Sequence, residues 1–313
     1  MIPSKQIVIE AGNRVAPFVH RTPVLTSRLL NEMAGAEVFF KCENLQKMGA
    51  FKMRGAINAI QQLSEAQKKG GVVTHSSGNF GQALALAAKN LGVNAYIVMP
   101  SSAPAVKIEA VKSYGGLVTI TEPTLEAREK SAANIVAEKG AVFLHPSNDM
   151  NVIVGQGTAA LELLQDQPGL EYIMSPVGGG GLIAGTALAA HYLGNNCRVI
   201  GGEPMEVDDA YRAFKSGKIE YNTSTDTIAD GLKTNLGDIN FPIIMELVSD
   251  IIRVEEGEIV NAMKLIWERM KLVIEPSSAV PFAALLKERE KFKNKKVGII
   301  LSGGNVELSN LPF

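Results

Sequence analysis

The chain has 313 residues, 46% of them hydrophobic, which is enough to bury a sizeable core and long enough for two compact lobes. Lys and Arg total 31 against 32 Asp and Glu, a formal net charge of -1, so the basic footprint of a nucleic-acid binder is absent. Two cysteines, Cys42 and Cys197, with neither a CxxC nor a Cys/His cluster, argue against a disulfide framework and a zinc site and leave a reducing, cytoplasmic setting as the expectation.

In chain order, MIPSKQIVIEAGNRV carries charges through its first helical turns, unlike a signal peptide. No apolar run approaches the roughly 18 to 20 residues of a membrane span. AEVFFKCE (36–43) reads as a strand, and GAFKMRGAIN (49–58) then places Lys52 and Arg54 inside a small, apolar run where a helix begins. Taken alone, Lys52 reads as an amphipathic-helix residue reaching water. GGVVTHSS (70–77) is a strand that runs through the glycine-broken turn HSSGNFGQA (75–83) into the helix GQALALAAKNLG. Ser76, Ser77 and Asn79 of that turn, taken alone, serve equally as N-caps. NAYIVMP (94–100), GGLVTITE (115–122) and AVFLHP (141–146) continue the strands, with TLEAREKSAANIVAEKG a capped helix among them.

YIMSPVGGGG (172–181) is a strand whose glycine run opens the helix LIAGTALAAHYLG. The unencumbered N–H groups of Gly178, Gly179, Gly180 and Gly181, with the helix dipole, form an anion site suited to phosphate. RVIGGEP (198–204) ends at Glu203, with Asp208 and Asp209 following. Carboxylates this close can hold a hard divalent cation, although a solvated acidic turn is the more frequent source of such a pattern. KVGIILSGGN (296–305) ends in another Ser/Gly turn. Strands alternating with helices predict an α/β fold with largely parallel sheets, which gather ligands at the carboxyl ends of their strands.

Gly179, Gly181 and Ala184 also satisfy the G-x-G-x-x-A fingerprint, with Glu203 about 20 residues on, where it could bind a ribose. An NAD-dependent oxidoreductase explains that one unit and leaves Lys52 and the turns at 75–83 and 301–305 without a role. A Walker phosphate loop does not occur. A lysine desolvated near a phosphate-binding loop becomes a nucleophilic amine that forms a Schiff base with an aldehyde. Pyridoxal 5′-phosphate carries both an aldehyde and a phosphate, and its ring is an electron sink for amino-acid chemistry.

Seven motifs in fixed order, FKMRGA (51–56), SSGNFG (76–81), VGQGTAALE (154–162), GGGGL (178–182), TIADG (227–231), WERMKLVIEP (267–276) and LSGGN (301–305), resemble the serine racemase and serine/threonine dehydratase family of fold-type II pyridoxal-phosphate enzymes. The resemblance covers essentially the whole chain. It implies the tryptophan synthase β type of fold: two open, twisted α/β domains, 1–69 with 149–313 and an inserted 70–148, with the cofactor in the cleft between them. It further implies that Lys52 carries the cofactor, with Phe51 beside the ring, Asn79 on the ring oxygen, Gly178 to Leu182 on the phosphate and Ser302 at the pyridine nitrogen. Ser76, Ser77 and Asn79 would bind the substrate carboxylate, with Arg128 and Thr234 as helpers.

Racemisation needs a second acid/base opposite the lysine, and the second serine of SSGN, Ser77, resembles that group in the racemases. The resemblance therefore implies a serine racemase with serine dehydratase activity. L-threonine/L-serine dehydratase and 3-hydroxyaspartate dehydratase are the alternatives. EPMEVDD resembles the racemases' cation loop, in which Glu203, the carbonyl of Val207 and Asp209 would hold Mg2+, Ca2+ or Mn2+. A homodimer is implied, and no membrane or nucleic-acid partner. Lys47, Gln82, Tyr114, Glu275 and Asn305 only partly match the nucleotide site of animal racemases, so regulation by ATP is not expected. Phe80 stands where relatives commonly carry His. His20, His75, His145 and His191 are read as structural, because none shares a ligand-like spacing with another.

Overall fold

The computed structural model describes residues 2–313. The chain first builds α1 (Lys5–Val15), a short β1 (Val24–Leu25), α2 (Arg28–Ala34), β2 (Glu37–Cys42), α3 (Lys52–Gln61) and α4 (Glu65–Gly70). A strictly alternating run follows: β3 (Val72–His75), α5 (Asn79–Asn90), β4 (Ala95–Pro100), α6 (Ala105–Ser113), β5 (Leu117–Thr121), α7 (Leu125–Lys139) and β6 (Val142–Phe143). The remainder begins with α8 (Met150–Asp166), β7 (Tyr172–Pro176), α9 (Gly181–Leu193), β8 (Arg198–Pro204) and α10 (Asp209–Ser216). It ends with α11 (Phe241–Leu247), β9 (Val248–Val254), α12 (Glu256–Met270), α13 (Pro276–Lys287) and β10 (Lys296–Leu301). Each strand expected from the sequence is present. Sequence patterning missed β1, which is only a residue pair, and β9, which follows α11 with no Gly or Pro to mark the change.

Among the described residues the strands form two sheets, ordered β1-β2-β10-β7-β8-β9 and β5-β4-β3-β6. Every pairing is parallel except that of β1 with β2. Parallel strands covered on both faces need apolar residues at successive positions, and β7 and β10 are buried almost throughout. Ile173 and Ile300 pack with residues of α8 and α9, while their neighbours Met174 and Ile299 turn the other way into a layer with α12 and α13. In the smaller sheet, Ile97 packs with α5 and α3, and Val98 with Ala132 of α7. Registers such as Leu301 with Cys42 and Pro176 with Gly202 bring the strand ends of the larger sheet level.

The helix α8 lies against both α3 and α9 through backbone. A Cβ on Gly55 would lie 2.9 Å from the carbonyl oxygen of Val152, one on Gly155 2.8 Å from that of Arg54, and one on Gly185 2.6 Å from the amide nitrogen of Gly157. Only glycine permits that approach. From the smaller sheet, Lys107 on α6 reaches Asp230 at 2.9 Å. Among the described residues no other ion pair joins residues 72–143 to the rest of the chain.

Arg54 is the fully buried hub of an ionic network. Its Nε and Nη2 donate to the two oxygens of Glu43 at 2.7 and 2.8 Å. Its Nη1 and Nη2 donate to the two oxygens of Glu162 at 2.8 Å each. Lys41 donates to Glu162 Oε2 at 2.6 Å and to the carbonyl of Thr22 at 2.8 Å. Two cations thus face two carboxylates, and β2, α3 and α8 are tied together. Burial works against the Glu162 carboxylate, but Arg54 and Lys41 more than offset it and hold its pKa below the ordinary value. For Lys41 the balance is reversed, and burial keeps the ammonium below its usual value despite Glu162.

Arg54→Met strands the buried Glu43 carboxylate and leaves Glu162 with Lys41 alone, and an unfolding free energy lower by about 3–5 kcal/mol is expected in urea titrations. The stabilisation carried by Glu162 is complete above its ordinary pKa of 4.5 and is lost as pH falls through the lower folded value. Wild-type stability measured from about pH 6 down to about pH 3 should therefore fall more steeply than that of Arg54→Met.

Candidate active site

Lys52 opens α3, and Arg54 stands two residues on. That offset is about 200° around a helix, so when Arg54 enters the core Lys52 points the other way. Lys52 Nζ donates to the carbonyl of Pro146 at 2.9 Å and lies 4.9 Å from the ring centroid of Phe51 and 5.8 Å from that of Phe80. The side chain is half-buried, and desolvation pushes the amine down to about 8, offset in part by the charge of Glu275. Such an amine is partly neutral, and so nucleophilic, at mildly alkaline pH.

The turns that follow the strands are joined to one another. The amide of Phe51 donates to the carbonyl of Ser302 at 3.0 Å, that of Gly304 to Gly49 at 2.9 Å, and Ala50 bridges Gly303. FKMRG and LSGGN therefore lie side by side. Ser302 is buried, with its Oγ 3.0 Å from Ser278 Oγ. Asn79 Nδ2 lies 3.1 Å from both oxygens of Glu275, and its Oδ1 accepts from Asn305 Nδ2 at 2.9 Å, which brings the SSGN turn to the same place. Burial, with Asp230 adding to it, pushes the Glu275 carboxyl up to about 7. Ser76 Oγ accepts the amide of Gly81 at 3.2 Å. Ser77, the next residue of that turn, is half-buried.

The glycine run is a cradle into which no side chain fits. A Cβ on Gly178 would lie 2.8 Å from Leu232 Cα, one on Gly179 would meet the hydroxyls of Ser147 and Thr234, and one on Gly181 would lie 2.6 Å from Gln156 Oε1. Gly180 adopts φ +79 at the N-cap of α9. Asn240 pins the run by donating Nδ2 to the carbonyls of Gly179 at 2.8 Å and Ser147 at 3.0 Å. Because Pro146 receives Lys52 and Ser147 touches the run, one short turn connects the amine to the cradle. Thr234 reaches it too. Leu182 is buried on the first turn of α9. Arg128 sits apart, near the start of α7, where its charge acts on His75.

The expected cation residues lie beyond the cradle. Glu203 is fully buried and accepts the amides of Ala210 at 2.9 Å and Tyr211 at 2.7 Å, capping α10. Asp209, also buried, accepts from Asn222 Nδ2 at 2.6 Å and the amide of Leu236 at 3.0 Å. Burial pushes both carboxyls upward, Asp209 to about 6, and Glu203 is raised further by the neighbouring charge of Asp209. Two buried carboxyls raised above their ordinary values, with only Arg212 acting on Asp209 as a cation, are a donor set that suits a hard divalent ion. The described residues hold no cluster of three or more His, Cys, Asp or Glu suited to a metal.

The motifs give no site position to Pro146, Ser147, Gln156 or Asn240, and His75 and His145 are expected to be structural. The two histidine rings lie 6.3 Å apart, and the charge of Lys52 acts on His145. Their sequence separation hid this, although HSSGN and HPSND each stand at a strand end and so carried a positional signal.

A lowered amine, a buried hydroxyl and a glycine cradle tied to it by one turn suit a flat ligand bearing an aldehyde and a phosphate. The residues present therefore fit pyridoxal phosphate. Comparison with known proteins agrees: the profile described as pyridoxal-phosphate dependent enzyme matches residues 15–303. A serine racemase of Dictyostelium discoideum is 51% identical over 306 residues, covering 96% of this chain and 94% of that protein. A beta-hydroxyaspartate dehydratase of Paracoccus denitrificans is 47% identical over 312 residues, covering 100% and 99%. The structure of maize serine racemase superposes with a TM-score of 0.96 at 46% identity, covering 99% of this chain and 95% of that one.

Gly179→Ala drives a methyl group against Ser147 Oγ and within 2.9 Å of Thr234 Oγ1. Its affinity for pyridoxal phosphate, titrated by visible absorbance, is expected to fall about tenfold or more.

Proposed function

Since the chain belongs to the pyridoxal-phosphate dependent enzyme family, we propose that it interconverts L-serine and D-serine and also eliminates ammonia from serine to give pyruvate. The observation that carries this reading is the SSGN turn bearing Ser77, which Asn79 ties through Glu275 and Asn305 to the turns beside the lowered amine of Lys52 on α3. Racemisation needs two proton-moving groups, because a proton leaves one face of Cα and returns to the other. Elimination needs only one.

Gly178 to Leu182 would hold the phosphate through backbone amides, Lys52 the aldehyde carbon, Asn79 the ring oxygen, and Phe51 would pack beside the ring. When bound, pyridoxal phosphate supplies an electron sink for the carbon that loses its proton, tempered by the neutral hydroxyl of Ser302 in place of a carboxylate at the ring nitrogen. Ser76, Ser77, Asn79 and the amides of their turn would hold the substrate carboxylate, with Thr234 at the rim. Lys52 would take and return the proton on one face of Cα, and Ser77 on the other.

The same reading takes 70–148 as a small domain inserted into 1–69 with 149–313. Its support is that the sheet β5-β4-β3-β6 lies wholly within 70–148. A homodimer and a cytoplasmic location belong to the proposal as well. In a second reading the chain is a 3-hydroxyaspartate dehydratase. The full-length Paracoccus relative supports it.

Incubation with L-serine, followed by chiral analysis and pyruvate assay, tests the proposal. The wild type is expected to form both D-serine and pyruvate. Ser77→Ala is expected to lose D-serine formation at least about a hundredfold while keeping much of the elimination. Equal loss of both activities removes the two-base assignment, and turnover of 3-hydroxyaspartate alone replaces it with the second reading. For the cation, millimolar magnesium or calcium should raise the melting temperature of the wild type. Glu203→Gln should abolish that rise, and a rise that survives the substitution places the ion elsewhere.

A further inference from the structure

Lys52 rests on a carbonyl that is itself held in place. His145 Nδ1 accepts the amide of Asn148 at 2.8 Å and that of Ser147 at 3.2 Å. A ring nitrogen that accepts two N–H groups must present its lone pair, so the proton is on Nε2 and the ring is neutral. The turn closed by these bonds offers the Pro146 carbonyl to Lys52 Nζ at 2.9 Å and to Gln156 Nε2 at 3.2 Å. Asn240 holds the next carbonyl, that of Ser147, at 3.0 Å.

We propose that His145 is a positioning residue for Lys52: by accepting two amides at Nδ1 it fixes the turn whose Pro146 carbonyl orients the Lys52 amine. An amine with one N–H held on a fixed carbonyl cannot spin about its last bond. Its lone pair is aimed, and proton transfer starts from one geometry. The role requires an unprotonated ring. Burial, then the charges of His75 and Lys52, push the pKa of His145 down to about 4 against the opposite pull of Asp238. His75 is itself lowered by burial and by Arg128, with Glu129 opposing. The acceptor therefore persists across the neutral range.

For its effect on turnover this inference rests on the pyridoxal-phosphate reading, and the test separates the two. Borohydride reduction of the loaded enzyme and peptide mass mapping report whether Lys52 carries the cofactor. In the full chain freed of cofactor, the pH dependence of Lys52 acetylation reports the amine alone. His145→Leu keeps the bulk and loses the acceptor. It is expected to lower the Lys52 labelling midpoint, because the ammonium loses a fixed partner, and to reduce kcat about tenfold to a hundredfold with KM within about threefold. His145→Asn, whose Oδ1 can accept both amides, is expected to restore the midpoint and most of kcat. An unchanged midpoint in His145→Leu, or an Asn variant no better than Leu, overturns the proposal. If the Leu variant does not fold, His145→Ala takes its place, and failure of both to fold overturns the proposal too, since the residue then only holds the turn. No cofactor mass on Lys52 in any form sinks the pyridoxal reading instead, while the labelling midpoint still decides the role of His145.

Discussion

The buried Arg54 network is the constraint on which the site depends. A guanidinium fully removed from water is tolerated only when its donors are met, and Glu43 and Glu162 meet them with four short bonds. Those bonds set the rotation of α3 about its own axis. With Arg54 locked inward, Lys52 at the first position of the same helix has one direction left. Apolar residues in place of the whole Arg54, Glu43, Glu162 and Lys41 set would satisfy the core and leave that rotation less defined. The charge is thus better understood as a device for register than as a source of stability.

Around Lys52 the chain brings together turns that are remote in sequence. The bridge between Ala50 and Gly303 joins the first and last of them, and Asn79 joins the smaller sheet to both through Glu275 and Asn305. Asn240 completes the set by holding the glycine run and the 145–148 turn with a single amide nitrogen. Its loop also receives Asp209 through the amide of Leu236, so the acidic residues beyond the cradle stand one loop away from it. A cation there would act on the site through that loop.

Much of this was legible in the sequence, and the reason is physical. Parallel strands must be apolar along their length and end in glycine-rich or polar turns, so β7 with its GGGG and β10 with its SGGN announced themselves. Lys52 and Ser77 stand in or beside such punctuated segments, but taken alone each reads as an ordinary helix or cap residue, and only the order of several motifs along the chain singles them out. What could not be read are groups that act through the main chain or through partners far along it. Pro146 contributes a carbonyl, which leaves no mark in a sequence. Gln156 and Asn240 look like any helix or loop amide until the fold places them. His145 lies 70 positions from His75, and no local pattern shows that both end on one wall. β9 escaped for a different reason: FPIIMELVSDIIRV changes from helix to strand inside one apolar stretch.

The contact of α8 with α3 and α9 carries a last implication. Lys52 stands at the start of α3 and the glycine run at the start of α9, and both helices touch α8 through backbone at Gly55, Gly155, Gly157 and Gly185. The span between the amine and the phosphate cradle is therefore measured in main-chain diameters, and no substitution along that seam can adjust it. Ser77 on the turn after β3, Phe80 on α5 and Arg128 on α7 belong to the other layer, and changes there leave that span untouched. A change at the substrate side of the site can thus arise while the distance from amine to cradle stays fixed.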